Sequence, residues 1–164
     1  MSVLFSETDI QLRVAAIAKE IAARKPEIAV AILSGAFVFA ADLTRALARE
    51  GADMPIEFLS LRSYGAGRAG GEISVRLGPG ENIAGRNVLL IDGVLDHGRT
   101  LAKARALLHE ARSILTAVVV DKRRSDALLQ ADFACFTNVE GFIAGYGMDD
   151  AGKARGLPHI VKVD

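Results

Sequence analysis

The sequence predicts an α/β fold with a central, mostly parallel sheet flanked by helices, and three observations predict it. Short continuous apolar runs alternate with segments of helical periodicity through the middle of the chain, the pattern of βαβ units. Several of these runs end abruptly on glycines, acids and hydroxyl residues, as buried strands do where they leave a sheet. The balance of 51% apolar and 24% charged residues over 164 positions is that of a globular chain long enough to close a real core.

Ser6 stands where a helix cap would stand, with Glu7 and Asp9 in the first turn and Ile10, Val14, Ile17 and Ile21 at helical spacing. Pro26 closes that helix. Ile28–Leu33 is an unbroken apolar run and a buried strand, interrupted by Ser34-Gly35. Phe37–Arg49 then reads as a helix ending at Gly51, and Ile56–Leu61 as a second strand. Ser63–Gly71, SYGAGRAGG, has four glycines in nine residues and no apolar periodicity, the texture of a mobile lid. Glu72–Leu77 alternates apolar and polar side chains as a half-exposed strand does, and Gly78-Pro79-Gly80 is a turn. Val88–Ile91 is the third core strand and Thr100–Arg112 its following helix. Thr116–Val120, Phe133–Thr137, Phe142–Gly147 and Ile160–Val163 supply the remaining strands. No repeat, low-complexity tail or linker interrupts the pattern, so residues 1–164 are expected to form one domain.

The formal net charge is zero, so no global basic field favours nucleic acid. No dense basic patch or aromatic-interleaved stripe points to an RNA-binding regulator either. The single cysteine, Cys135, sits in an apolar run and is expected in the core; one cysteine offers neither an intramolecular disulfide nor a zinc cluster, which fits a reducing, cytoplasmic compartment. The opening MSVLFSETD lacks the cationic and long apolar regions of a signal peptide, and no apolar run approaches membrane-spanning length. His109 and His159 have no partner pattern for metal binding and are expected to be structural or exposed.

In open parallel sheets, ligands sit beyond the carboxyl ends of the strands. The candidate residues are therefore Ser34 and Gly35, Ser63 and Tyr64, Asp92 to Thr100, and Asp121 and Lys122. The most informative segment is Val88–Leu101, VLLIDGVLDHGRTL, which reads as a buried strand, a tight turn and a helix start. Backbone N–H groups at a helix start are unpaired and partly positive, so the turn favours a phosphate, and Gly98 permits its close approach. A polyanionic, metal-dependent ligand suits this edge.

Five segments, in order along nearly the whole chain, resemble the type I phosphoribosyltransferases, and their hypoxanthine-guanine branch in particular. Ile91–Thr100, IDGVLDHGRT, is similar to the motif that binds phosphoribosyl pyrophosphate (PRPP). Ala31–Phe37, AILSGAF, resembles the pyrophosphate loop of that branch, and Ser63-Tyr64-Gly65 the start of its flexible lid. Val120-Asp121-Lys122 resembles the purine-reading strand end, and Gly145–Asp149 with Arg155–Pro158 the C-terminal segment that meets base and metal. The resemblance implies a sheet with a small hood, a Gly-rich lid, and transfer of a 5-phosphoribosyl group from PRPP to a 6-oxopurine base, giving a purine nucleoside monophosphate and pyrophosphate. It also implies Mg2+ and assembly as a homodimer or homotetramer.

Residue by residue, the resemblance makes Asp96 the general base near purine N7. It wraps the 5'-phosphate with Asp96, His97, Gly98, Arg99 and Thr100. It gives the ribose and metal to Asp92 and Gly93, and pyrophosphate to Ser34, Gly35 and Arg155, with the Ser34–Gly35 peptide expected to be cis. Ser63 and Tyr64 close the lid. Lys122 donates to purine O6, Phe142 stacks on the ring, Ile143 lies at the base edge, and Asp149 meets base and metal. Three positions depart from the family pattern: Ser34 stands where a cation is usual, His97 where a hydroxyl is usual, and Asp92-Gly93 where two adjacent acids are usual. Restoring an acid at position 93 is thus expected to tighten PRPP. The same departures also suit a second type of protein, one that keeps the nucleotide pocket for binding or regulation without efficient catalysis.

Overall fold

The computed structural model describes residues 1–63 and 72–163. In chain order the elements are β1 (Ser2–Phe5), α1 (Glu7–Ala23), β2 (Ile28–Leu33), α2 (Phe37–Arg49), β3 (Ile56–Ser63), β4 (Ile73–Leu77), a single 3-10 turn (Glu81–Ile83), β5 (Asn87–Leu95), α3 (Arg99–Leu107), β6 (Ser113–Asp121), β7 (Phe133–Thr137), β8 (Phe142–Ala144) and β9 (Ile160–Val163). Six strands form the main sheet in the order β4-β3-β2-β5-β6-β7, parallel throughout except for β4 at one edge. A second, three-stranded antiparallel sheet, β1-β9-β8, forms a hood.

Alternation along the buried strands makes the two layers. Ala29, Ala31, Leu89, Ile91 and Val119 face the layer of α1 and α2, where Ile10, Ile17, Ile21, Phe39 and Leu43 are fully or almost fully buried. Ile28, Val30, Ile32, Val88, Leu90 and Val118 face the opposite layer with Leu101 and Ala104 of α3. Each large apolar side chain taken from water in this way contributes about 1.5–3 kcal/mol. The start of α1 is fixed by a capping box: Ser6 Oγ accepts from the Asp9 amide at 3.2 Å, and Asp9 Oδ2 accepts from the Ser6 amide at 3.0 Å.

The chain leaves β2 toward β3 on one side and returns to place β5 on the other. This reversal opens a crevice at the carboxyl ends of β2 and β5, where the two crossovers diverge.

Several boundaries differ from those the sequence predicts. The third core strand runs to Leu95 rather than stopping at Ile91, because parallel pairing with β6 continues through Leu95 opposite Asp121. Asp92 and Gly93 therefore lie in the strand and not in the turn. The following helix is Arg99–Leu107 rather than Thr100–Arg112. It stops where the Arg112 amide turns back to the Arg86 carbonyl and the Gly85 amide takes the Glu110 carbonyl. Its cap is Gly98, at φ +83°. Phe142–Gly147 is a strand only to Ala144, since Gly145 folds back onto Met148 through a tight turn. The non-proline cis peptide is Leu33–Ser34, one residue before the expected Ser34–Gly35 bond. Strand β1 has no counterpart among the predicted elements.

Candidate active site

One cavity of about 360 Å³ lies at the crevice between β2 and β5. The ends of these strands supply Leu33, Gly35, Asp92, Gly93 and Asp96; Thr100 comes from α3, Lys122 from the end of β6, and Phe142 and Ile143 from the hood. Met148, Asp149 and Arg155 close it from the C-terminal segment. Ser34 and the run His97-Gly98-Arg99 are not among the lining residues, although the residues on either side of them, Leu33 and Gly35, and Asp96 and Thr100, are. Ser34, His97 and Arg99 are exposed beside it. Ser63 ends β3, and Tyr64 with the rest of the expected lid lies outside the described residues.

At one end of the cavity, Lys122 Nζ donates to Asp96 Oδ2 at 2.7 Å and to the Gly141 carbonyl at 2.8 Å. The lysine is 12% exposed and the carboxylate 40%. A charge-assisted bond between a largely buried ammonium and an accessible carboxylate holds a donor and an acceptor side by side. The other oxygen, Asp96 Oδ1, has no hydrogen-bond partner among the described residues; His97 Nδ1 and Arg124 Nε stand off at 3.4 and 3.5 Å. Oδ1 is itself buried, so the exposed part of the acid is on the side that carries the lysine contact. An acid and a lysine held side by side next to an aromatic wall suit a flat heterocycle that offers both an N–H and a carbonyl.

Lys122 is aimed by its neighbour. Asp121 is fully buried, accepting from the Arg123 amide at 2.8 Å and the Ala131 amide at 3.1 Å, with Arg123 Nε at 3.2 Å. It anchors the loop after β6 and does not line the cavity, a correction to its expected place among the ligand-facing residues. The readable signal is an acid ending a β-branched run, followed by a lysine and two arginines.

The other end is anionic and glycine-rich. Asp92 is almost wholly buried, and its Oδ1 accepts from the Gly93 amide at 2.7 Å. No cation pairs with it among the described residues. Burial therefore dominates and pushes its carboxyl up from 3.8 to about 7, the amide bond opposing only part of the rise. Asp149 Oδ1 pairs with Arg155 at 2.7 Å, and its Oδ2 accepts from the Gly152 amide at 2.8 Å. Arg155 also donates to the Gly147 carbonyl at 2.7 Å. Arg155 thereby fixes the turn beside Gly35 while its charge stays partly exposed. The apolar lining residues Ile32, Leu61 and Val94 are ones that sequence reasoning missed, since nothing but their position near strand ends marks them; Met148, in the turn after β8, is covered there only by its segment, with no role of its own.

This geometry, a phosphate-favouring turn after β5, an acid–lysine pair under a hood and a glycine-rich opposite rim, defines a nucleotide-handling α/β site. The chain belongs to the phosphoribosyl transferase domain family, which matches residues 6–151, and within it to the hypoxanthine-guanine branch. It is 35% identical to the hypoxanthine-guanine phosphoribosyltransferase of Aquifex aeolicus (strain VF5), covering 100% of this chain and 95% of that protein. It is 30% identical to the hypoxanthine phosphoribosyltransferase of Escherichia coli (strain K12), covering 99% and 95%. The structure of the Trypanosoma cruzi hypoxanthine phosphoribosyltransferase in complex with the product IMP superposes with a TM-score of 0.90 at 29% identity, over 100% of this chain and 94% of that one.

Proposed function

We propose that this chain is a purine-salvage enzyme that transfers the 5-phosphoribosyl group from PRPP to hypoxanthine or guanine, releasing pyrophosphate and IMP or GMP. The observation that carries the reading is the Lys122–Asp96 pair at the mouth of the β2/β5 crevice. A 6-oxopurine presents O6 to the Lys122 ammonium and its N7–H to Asp96. The bond from ribose C1' to the pyrophosphate oxygen breaks, the bond from C1' to N9 forms, and the N7 proton passes to Asp96. Phe142 and Ile143 on the hood flank the ring. Thr100 and the amides of His97, Gly98 and Arg99 hold the 5'-phosphate at the start of α3. Gly35, Ser34 and Arg155 face the departing pyrophosphate, and Ser63 and Tyr64 begin the segment that excludes water.

The anionic end fits a divalent cation that arrives with its substrate. Asp92 is a buried carboxylate without a cationic partner among the described residues, and Asp149 is an accessible oxygen donor already oriented by Arg155 and Gly152. Among the described residues no three His, Cys, Asp or Glu side chains converge into a protein-only cage, so Mg2+ would draw most of its oxygen ligands from PRPP and water, with Asp92 and Asp149 beside it. Bound there, such an ion would shield the charge of the leaving pyrophosphate. Thr100, Arg155 and the loop amides orient the rest.

A single buried thiol and no disulfide support a cytoplasmic setting. The exposed Phe37 on α2, beside a groove lined by Tyr146 and Pro158, offers apolar surface for assembly as a homodimer or homotetramer. The test is an assay of nucleotide formation with PRPP, Mg2+ and each of hypoxanthine, guanine, xanthine and adenine. Formation of IMP or GMP but not AMP supports the reading. No nucleotide with any base at high PRPP overturns it.

A further inference from the structure

Gly93 stands where the second of two adjacent acids would be expected, and its surroundings explain why no side chain is there. A Cβ on Gly93 would lie 3.1 Å from the Gly35 carbonyl oxygen, 3.4 Å from the Gly35 carbonyl carbon and 3.3 Å from Met148 Cγ. A Cβ on Gly147 would lie 2.8 Å from the same Gly35 oxygen, and Gly147 sits at φ +96°, where L side chains are strained. Gly35 itself has open space where its Cβ would be. The glycine requirement therefore belongs to the two walls and not to the loop they hold. Neither wall has room to yield. Gly93 is inside β5, with Asp92 and Val94 on either side of it paired to β6, and the backbone at Gly147 is tied to Arg155.

We propose that Gly93 and Gly147 form a slot that seats the Gly35 carbonyl, making Gly93 a positioning residue for the pyrophosphate end of the cavity. The inference rests on the proposed reaction for the identity of its ligand. In this chain the turn after β2 is held against β5 by close backbone contact, at the position where an acid would otherwise project. A methyl at 93 crowds both a backbone carbonyl and a buried methionine, each of which has to give by a few tenths of an ångström. An acid at 93 adds a carboxylate against that carbonyl oxygen and next to the buried Asp92. Restoring the acid is thus expected to weaken PRPP binding, the opposite of what the sequence alone predicts.

The test is calorimetric binding of magnesium pyrophosphate, and separately of IMP, to the wild type and to Gly93→Ala, with PRPP titrated into Gly93→Asp. Misplacing the loop should weaken pyrophosphate by about tenfold or more in Gly93→Ala, while IMP affinity stays within about threefold. Gly93→Asp should bind PRPP more weakly than the wild type. If Gly93→Ala does not fold, Gly93→Ala/Met148→Ala is compared with Met148→Ala, which removes the clash with the methionine and keeps the one with the carbonyl. The same loss of pyrophosphate affinity is expected. Pyrophosphate binding within about threefold of the parent, or PRPP tightened by Gly93→Asp, overturns the slot. A wild type that binds neither pyrophosphate nor IMP overturns the assigned reaction together with it.

Discussion

Asp92→Asn should stabilise the protein while it weakens substrate binding. Asp92 is almost wholly buried, its one hydrogen bond comes from the Gly93 amide, and no cation among the described residues offsets its charge. Its carboxyl is raised from 3.8 to about 7. The folded state therefore holds this proton more tightly than the unfolded chain does. As pH rises past about 4 the unfolded chain ionises first and stability falls; the loss levels off once the folded carboxyl ionises near pH 7. At about 1.36 kcal/mol for each pH unit that separates the two values, the full penalty is on the order of 4 kcal/mol. An asparagine accepts the same amide bond and carries no charge. The stability gap between Asp92→Asn and wild type should widen by roughly 2–3 kcal/mol between about pH 5 and pH 8. In a chain of this length that is about 5–10 °C in melting temperature. The assay is thermal unfolding at both pH values without ligand or divalent metal, followed by titration with PRPP and Mg2+, where the variant should lose at least about tenfold in affinity. An Asp92→Asn protein that melts below wild type at the higher pH, or a gap that does not widen with pH, refutes the desolvation reasoning.

Asp96→Asn removes the proton acceptor and keeps the shape of the site; kcat should fall by about a hundredfold or more while IMP binding, measured by calorimetry, is retained. Lys122→Met removes the donor to O6, so KM for hypoxanthine should rise about tenfold to a hundredfold in steady-state kinetics, with a smaller effect on KM for PRPP. Asp121→Ala strands the buried amides of Arg123 and Ala131, and urea unfolding should show a loss of about 3 kcal/mol or more.

How much of the fold is legible in the sequence depends on whether each signal is local. Helix Phe37–Arg49 and strands Ile28–Leu33, Phe133–Thr137 and Ile160–Val163 match their predicted bounds, because each is an apolar pattern closed by its own glycine or polar stop. The apolar pattern of Val88–Ile91 ends four residues short of the strand because Asp92-Gly93 has the look of a turn, and only pairing with the neighbouring strand keeps it extended. Ser2–Phe5 is a strand through its partner Ile160–Val163 at the far end of the chain, which no local window contains. The helix after Gly98 reads too long because Lys103 to Arg112 is rich in helix formers, while its end is set by contacts with residues before β5. Among site residues, Asp92, Asp96, Thr100, Lys122, Phe142, Ile143, Asp149 and Arg155 converge as the motif order implies. The pairing of Lys122 with Asp96 and of Arg155 with Asp149 is not legible, nor is the reason for Gly93, since each depends on distances between separate segments.

The hood joins segments from far apart in the sequence at the rim of the cavity. Ser2 lies opposite Lys162, and Phe142 lies opposite Val163, so the hood strand proposed to flank the purine is one strand removed from β1. Phe5 stacks on Phe136 of the main sheet at a centroid separation of 3.7 Å and fastens that strand to the body of the protein. Strand β1 thus carries the hood against the main sheet. Removal of Ser2 to Phe5 would take away the strand that pairs with Ile160–Val163 and so act on the hood as a whole.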